Sequence, residues 1–251
     1  MSVTPLHRPP NNPRNRRDLL AGISNISAGL VLSGCSNASR LSSSGRNDKA
    51  RSGEFTAVED LMREHGVLRR ALFVYSEAAA KLRGKPANGV LDAIHKTAKL
   101  FRTFGEDYHE MKLEEAYIFP AVKKAGGEAA SYPDILVAQH HRGREITDYV
   151  LAVTGGAKLK AYDVEPFASA LESLVRMYRA HAAREDTIVF PAWKQALTAK
   201  QLDEMGEQFE EIEHQQFGED GFENAVRQIS KIEGELGLAD LAQFTAPPVK
   251  M

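Results

Sequence analysis

A histidine and a glutamate four residues apart, His181 and Glu185, fall on one face of an α-helix, one turn from each other. A helical bundle uses this spacing to offer one nitrogen and one oxygen ligand to a metal ion. Alone the pair is a weak signal, because the spacing is common by chance. Its weight comes from a second copy of its surroundings. Glu114-Glu115-Ala116-Tyr117-Ile118-Phe119-Pro120-Ala121-Val122 aligns with Glu185-Asp186-Thr187-Ile188-Val189-Phe190-Pro191-Ala192-Trp193, keeping Glu, an acid, an aliphatic residue, Phe, Pro and Ala in register. A His lies upstream of each, His109 and His181. Earlier still, Leu61-Met62-Arg63-Glu64-His65 aligns with Leu136-Val137-Ala138-Gln139-His140, and Arg69 or Arg144 follows each His by four. His65 precedes His109 by 44 residues and His140 precedes His181 by 41. A helical hairpin with a His on its first helix and a His/Glu pair on its second has been duplicated. Two such hairpins bring four His and two Glu to one point. Mixed imidazole and carboxylate ligation suits iron, and paired carboxylates can bridge two ions. Buried together, these groups need a metal or partners.

The elements that must carry these residues are helices. From Glu54 onward, apolar residues recur at three- and four-residue spacing, with few alternating β-branched runs. A first helix shows Val58, Leu61, Leu68, Leu72 and Tyr75 on one face and breaks at Gly84-Lys85-Pro86. A second spans about 89–124, a third about 133–153 and a fourth about 164–197, with Pro120 and Pro191 inside the second and fourth. Each proline should kink its helix or restart the last turn. Thr198 is a fitting cap for a further helix through Phe217, and a last helix covers about 222–236. Four long amphipathic helices with short loops make an all-α, up-down four-helix bundle the expected fold, over residues 54–198, with a C-terminal helical extension and tail over 199–251.

Composition excludes several classes. Of 251 residues 43% are hydrophobic and 26% charged, as in a globular protein with a packed core. A net charge of −2 and the lack of a basic stripe argue against nucleic acid as a partner, and a single Cys rules out a disulfide framework. The N-terminus reads as an address. Arg16-Arg17 leads into the modestly apolar run from Ala21 to Leu32, ending in Leu32-Ser33-Gly34-Cys35. Residues 1–34 are thus expected to be a twin-arginine export signal with a lipoprotein cleavage site, and Cys35 the lipidated first mature residue. Residues 35–53, rich in Ser, Gly, Arg and Asn, form the expected tether. The corresponding location is the cell envelope, lipid-anchored on the periplasmic or outer-membrane face in a Gram-negative host.

On the duplicated residues quoted above, the chain resembles the hemerythrin-like (HHE cation-binding) domains. The resemblance covers roughly residues 55–197, plus Glu213-His214-Gln215-Gln216-Phe217-Gly218 in the extension. It implies a non-haem di-iron centre with His65, His109, Glu114, His140, His181 and Glu185 as metal ligands; manganese or zinc would also suit such donors. It further implies a small ligand, O2, peroxide or NO, and a role as carrier, store or sensor of oxygen or iron. The alternatives are a di-iron oxidoreductase (peroxidase, ferroxidase or NO-scavenging) and a structural metal-binding envelope lipoprotein. No Cys cluster, haem motif or flavin motif offers an electron route, which favours binding over turnover.

One departure from the family pattern stands out. His109 and Glu114 are five apart, not four, which on an ideal helix turns the Glu about 140° away from the His. A π-bulge absorbs one extra residue, so a single-turn bulge is expected between them, with the second copy regular. In the competing arrangement Glu110 joins or replaces a ligand. His141 rivals His140, and His214 could lie over the open end of the bundle. His95 is expected on a solvated face, Tyr75, Tyr108, Tyr117 and Tyr178 in or next to the core, and Arg69 and Arg144 in surface pairs.

Overall fold

The computed structural model describes residues 55–84, 89–156, 159–218 and 220–249. The expected export signal, Cys35 and the tether lie outside the described residues. The first helix, α1, spans Ala57–Arg83. Thr56 starts it with a reciprocal cap: its hydroxyl accepts the Glu59 N–H at 3.3 Å while the Glu59 carboxylate accepts the Thr56 N–H at 2.8 Å. Such a cap contributes about 1 kcal/mol. Glu59 and Asp60 in the first turn and Lys81 and Arg83 in the last complement the helix dipole.

The second helix, α2, covers residues 90–125 in three parts: α-helical Val90–Leu100, π-helical Phe101–Ile118 and α-helical Phe119–Ala125. Helix α3 spans Pro133–Thr154, its proline at the first position where no backbone donor is missed. Helix α4 covers residues 164–196, as α-helical Val164–Arg184, a π turn Glu185–Val189 and α-helical Phe190–Ala196. Two further helices, α5 (Ala199–Phe217) and α6 (Gly221–Glu235), follow; Thr198 and Gln201 cap α5 reciprocally. No strand occurs among the described residues.

The expected bulge in α2 is therefore present but much longer than one turn. The expectation that the second copy is regular is corrected: it too has a π turn. In both copies the i→i−5 bond runs from the Phe N–H to the carbonyl of the repeated Glu, Phe119 to Glu114 and Phe190 to Glu185. The shared cause is the proline that follows. Pro120 and Pro191 have no N–H to give, and their rings crowd the carbonyl four residues back. Widening the preceding turn relieves that crowding.

Helix α1 packs on α2 and α4, and α3 packs on the same two. The four thus close a ring in chain order. Tyr75, Phe101, Phe104, Phe167 and Phe190 fill its interior, all almost fully buried. The extension lies against α1 and α2. Arg70 of α1 binds Ser230 (2.8 Å) and Glu233 of α6, with its Nε 2.9 Å from the Glu233 Oε1. Trp193 of α4 stacks on Phe209 of α5 with centroids 5.7 Å apart. Among the described residues, no helix is long and apolar enough to cross a membrane.

Candidate metal centre

The bundle brings all six sequence-derived candidates together. His65 comes from α1, His109 and Glu114 from α2, His140 from α3, and His181 and Glu185 from α4. None is more than 4% exposed. The long π segment lets His109 and Glu114, five apart, meet: Glu114 Oε1 lies 3.1 Å from His109 Nε2. The same oxygen is 3.8 Å from His65 Nε2, while Glu114 Oε2 is 3.4 Å from His140 Nε2. Glu185 spans the site in the other sense, its Oε1 2.9 Å from His181 Nε2 and its Oε2 3.5 Å from His65 Nε2. The donors thus sort into two sets: four groups, His140, His181, Glu114 and Glu185, and three, His65, His109 and Glu114, with Glu185 Oε2 approaching the second set from the His65 side. One set is His65 with His109, the other His140 with His181.

The outer nitrogen of every imidazole is held. His65 Nδ1 meets Asp186 Oδ1 at 2.7 Å, His109 Nδ1 meets Glu64 Oε2 at 2.7 Å, His140 Nδ1 meets Glu115 Oε1 at 2.8 Å, and His181 Nδ1 meets Gln139 Oε1 at 2.9 Å. Carboxylate and amide oxygens only accept, so each Nδ1 carries the proton and each Nε2 turns a lone pair inward. Each supporting residue is the chain neighbour of a candidate ligand, and each helix supports the His of the next. Glu64 of α1 holds His109 of α2, Glu115 of α2 holds His140 of α3, Gln139 of α3 holds His181 of α4, and Asp186 of α4 returns to His65 of α1. The two repeated arginines belong to this circuit. Arg69 pairs with Asp186, and Arg144 donates to Glu115 at 2.6 Å. The expectation of a surface pair is corrected for Arg144 and holds for Arg69, whose bond to Asp186 is exposed. Arg144 is half-buried, and Arg69, though partly exposed, serves an acid behind a candidate ligand.

This donor set calls for cations. His109 Nε2 and all four carboxylate oxygens of Glu114 and Glu185 are buried with no hydrogen-bond partner. The inward nitrogens of His140 and His181 stand 3.0 Å apart, so a cation or a proton belongs between them. Each buried polar atom left unpaired costs about 1–3 kcal/mol. A metal ion in each set satisfies every one of them at once, so the residues fit a two-metal group. Protons are the alternative filling. Burial opposes charge on His140, yet Glu110, Glu114 and Glu115 around it outweigh burial and raise its pKa to about 10. His109 is likewise raised, by Glu114 and Glu64 against burial. Burial and the neighbouring His109 cation push His65 down to about 4, so one imidazole of that set stays neutral.

A cavity of about 20 Å³, room for one water, is lined by five of the six residues, all but His140. Leu68, Leu72, Phe101 and Ala182 form its apolar wall, and Tyr178 and Glu110 its polar one. Arg69, with a side chain 45% exposed, carries the lining out to solvent.

Glu110 does not replace a candidate ligand. Its Oε2 approaches the outer nitrogen of His140 at 3.9 Å, and it accepts from Tyr178 at 2.7 Å and Arg144 at 3.3 Å. Burial, chiefly, raises its pKa. The Tyr178 hydroxyl sits so close to α3 that a Cβ on Gly143 would overlap it. Four residues back, Glu106 is also fully buried, accepting from Thr147 at 2.6 Å; burial lifts its pKa to about 7. His141 and His214 are exposed, and His95 bonds Thr154 at 2.9 Å away from the centre. Sequence reasoning missed the roles of Glu64, Glu115, Gln139 and Asp186, and of Glu106. For the first four a signal existed: the duplication keeps a polar residue beside each repeated His or Glu.

Comparison with known proteins agrees with this geometry. The hemerythrin HHE cation binding domain family matches residues 56–193. Uncharacterized proteins of Mycobacterium bovis and of two strains of Mycobacterium tuberculosis are each 41% identical over 249 residues, covering 97% of this chain and 95% of theirs. No solved structure gives a significant match.

Proposed function

From the premise that this chain belongs to the hemerythrin HHE cation-binding family, we propose that it holds two non-haem iron ions and binds O2 or a related small oxidant beside them, as a carrier, store or sensor. The observation that carries this reading is the pair of buried carboxylates, Glu114 and Glu185, each facing both imidazole pairs with no other partner. Iron held by these residues would supply redox chemistry and a centre for a small ligand. The chain's own residues do the rest. Asp186, Glu64, Glu115 and Gln139 fix the tautomer and orientation of the four histidines. Leu68, Leu72, Phe101 and Ala182 give the cavity at the centre an apolar wall. Manganese or zinc in the same donors would bind without the same reactivity.

A second reading, a di-iron oxidoreductase, has one observation in its favour. The Glu110 carboxyl lines the cavity, accepts from Tyr178, and would place an acid–base group beside the metal. The duplicate gives Ala182 at the equivalent place, one residue after His181, so the acid belongs to one copy alone. Iron(II)-loaded protein exposed separately to O2, peroxide and NO separates the readings. A stable spectrum reversed on degassing supports the carrier, and rapid catalytic consumption supports the oxidoreductase. Loaded protein inert to all three would overturn both.

The same proposal places the protein at the cell envelope, anchored by lipid on Cys35. Arg16-Arg17 and Leu32-Ser33-Gly34-Cys35 support this. The full chain is expected in the membrane fraction and the Cys35→Ser variant outside it; equal partitioning of the two would remove the anchor from the account.

A further inference from the structure

The two imidazole pairs differ in what stands behind them. Both His65 and His109 donate to carboxylates, Asp186 and Glu64. Behind His140 is a carboxylate, Glu115, but behind His181 is only the neutral amide of Gln139. The difference falls at one position of the duplication, Glu64 in the first copy and Gln139 in the second. Glu110 adds a second carboxylate near His140, 3.9 Å from its Nδ1, but it is bound to Tyr178 and Arg144 and gives the His181 outer nitrogen no acceptor.

Glu64 is also anchored from outside the bundle. Its other oxygen accepts the Tyr108 hydroxyl at 2.9 Å. The Tyr108 ring meets Phe217, the last residue of α5, edge to face at 5.2 Å, and Phe217 also packs on Phe104 at 5.9 Å. Phe217 lies beyond the segment that the family matches, residues 56–193. A line of contact therefore runs from the extension to the centre: Phe217, Tyr108, Glu64, His109.

We propose that the two metal positions are inequivalent, that the His65–His109 position binds the tighter, first-loading ion, and that the C-terminal hairpin sets this through Phe217, Tyr108 and Glu64. The inference rests on the metal-centre reading above. Its physical basis is the donor strength of imidazole. A carboxylate accepting the outer N–H raises the basicity of the inner nitrogen and fixes the ring, and an amide does so less. Glu64 and Tyr108 are positioning residues, acting on the metal through His109.

Cobalt(II) titrated anaerobically into the full-length protein tests this, read by calorimetry and by the visible bands of the bound ion. Wild type is expected to bind two ions with constants at least about 10-fold apart. Glu64→Gln should weaken the tighter site about 10- to 100-fold and bring the two together, whereas Gln139→Glu should strengthen the weaker one. Phe217→Ala should weaken the tighter site and shift its visible bands, with Phe217→Leu restoring both. Gln139→Glu removes no contact from the fold, so it remains informative if Glu64→Gln folds poorly. Two equal constants in wild type, or constants unmoved in both Glu64→Gln and Gln139→Glu, would overturn the inference and leave the centre standing. No cobalt bound by folded wild type would overturn the metal-centre reading itself.

Discussion

Replacing Glu114 with Ala should empty both metal positions, whereas replacing His181 with Ala should leave close to one ion per chain. The asymmetry follows from geometry. Glu114 turns one oxygen to His65 and His109 and the other to His140, so its loss takes a donor from each set. His181 serves one set, with Glu185 Oε1 at 2.9 Å and His140 Nε2 at 3.0 Å beside it. Loss of a group that merely supports a ligand typically costs 10- to 100-fold in affinity. Loss of a shared ligand should therefore weaken each position by more than about 100-fold. Metal content of purified protein by plasma spectrometry, alongside circular dichroism to establish folding, checks the prediction. One ion retained in Glu114→Ala would mean that the carboxylate does not span the pair.

Removing the metal should lower the melting temperature by about 10 °C at neutral pH. A ligand present at 1,000 times its dissociation constant adds about 4 kcal/mol of stability, and for a chain of this size each kcal/mol moves the midpoint by about 2–4 °C. The gap should widen as pH rises. In metal-free protein, protons on His140 and His109 stand in for the cations, and both groups have folded-state pKa values above the unfolded value. Stability from a raised pKa is fully present below the unfolded value of about 6.5 and is lost as pH climbs towards the folded one, about 10 for His140. Loaded protein has no such protons to lose, and its metal competes better as they become scarce. His65, depressed to about 4, acts only below 6.5, where it destabilises the metal-free form. Calorimetric scans of loaded and chelated protein between pH 7 and 9.5 test the sign. A gap that narrows with pH would contradict it.

The helices were legible because their ends are written locally. Thr198 is a cap visible in the sequence, and Gly126-Gly127 stops α2 where left-handed backbone is needed. The six candidate ligands were legible because duplication sorted them from bystanders such as His95 and His141. Their outer partners were not, because each such bond joins different helices: Asp186 reaches His65 across 121 positions and Glu64 reaches His109 across 45. Only the packed bundle sets those pairs. The π turn of the second copy escaped notice for another reason. His181 and Glu185 have normal spacing, and the widened turn begins at Glu185, so nothing but Pro191 hinted at it. Glu106 looked like part of an ordinary polar face, and only burial sets it apart.

The circuit of supports around the four histidines has no end. Each helix steadies the next, and the fourth steadies the first, so none can swing outward without releasing both the side chain it holds and the one it receives. In an open chain of supports the terminal helix could fray alone; in a closed one, loosening any link loosens its neighbour. Amide protons near the centre should then exchange with solvent only when the bundle opens as a whole, while α5 and α6, outside the loop, are free to exchange earlier. Metal held at this centre would not leave by a partial breath of one helix; its exchange would be tied to the slowest motion the bundle has.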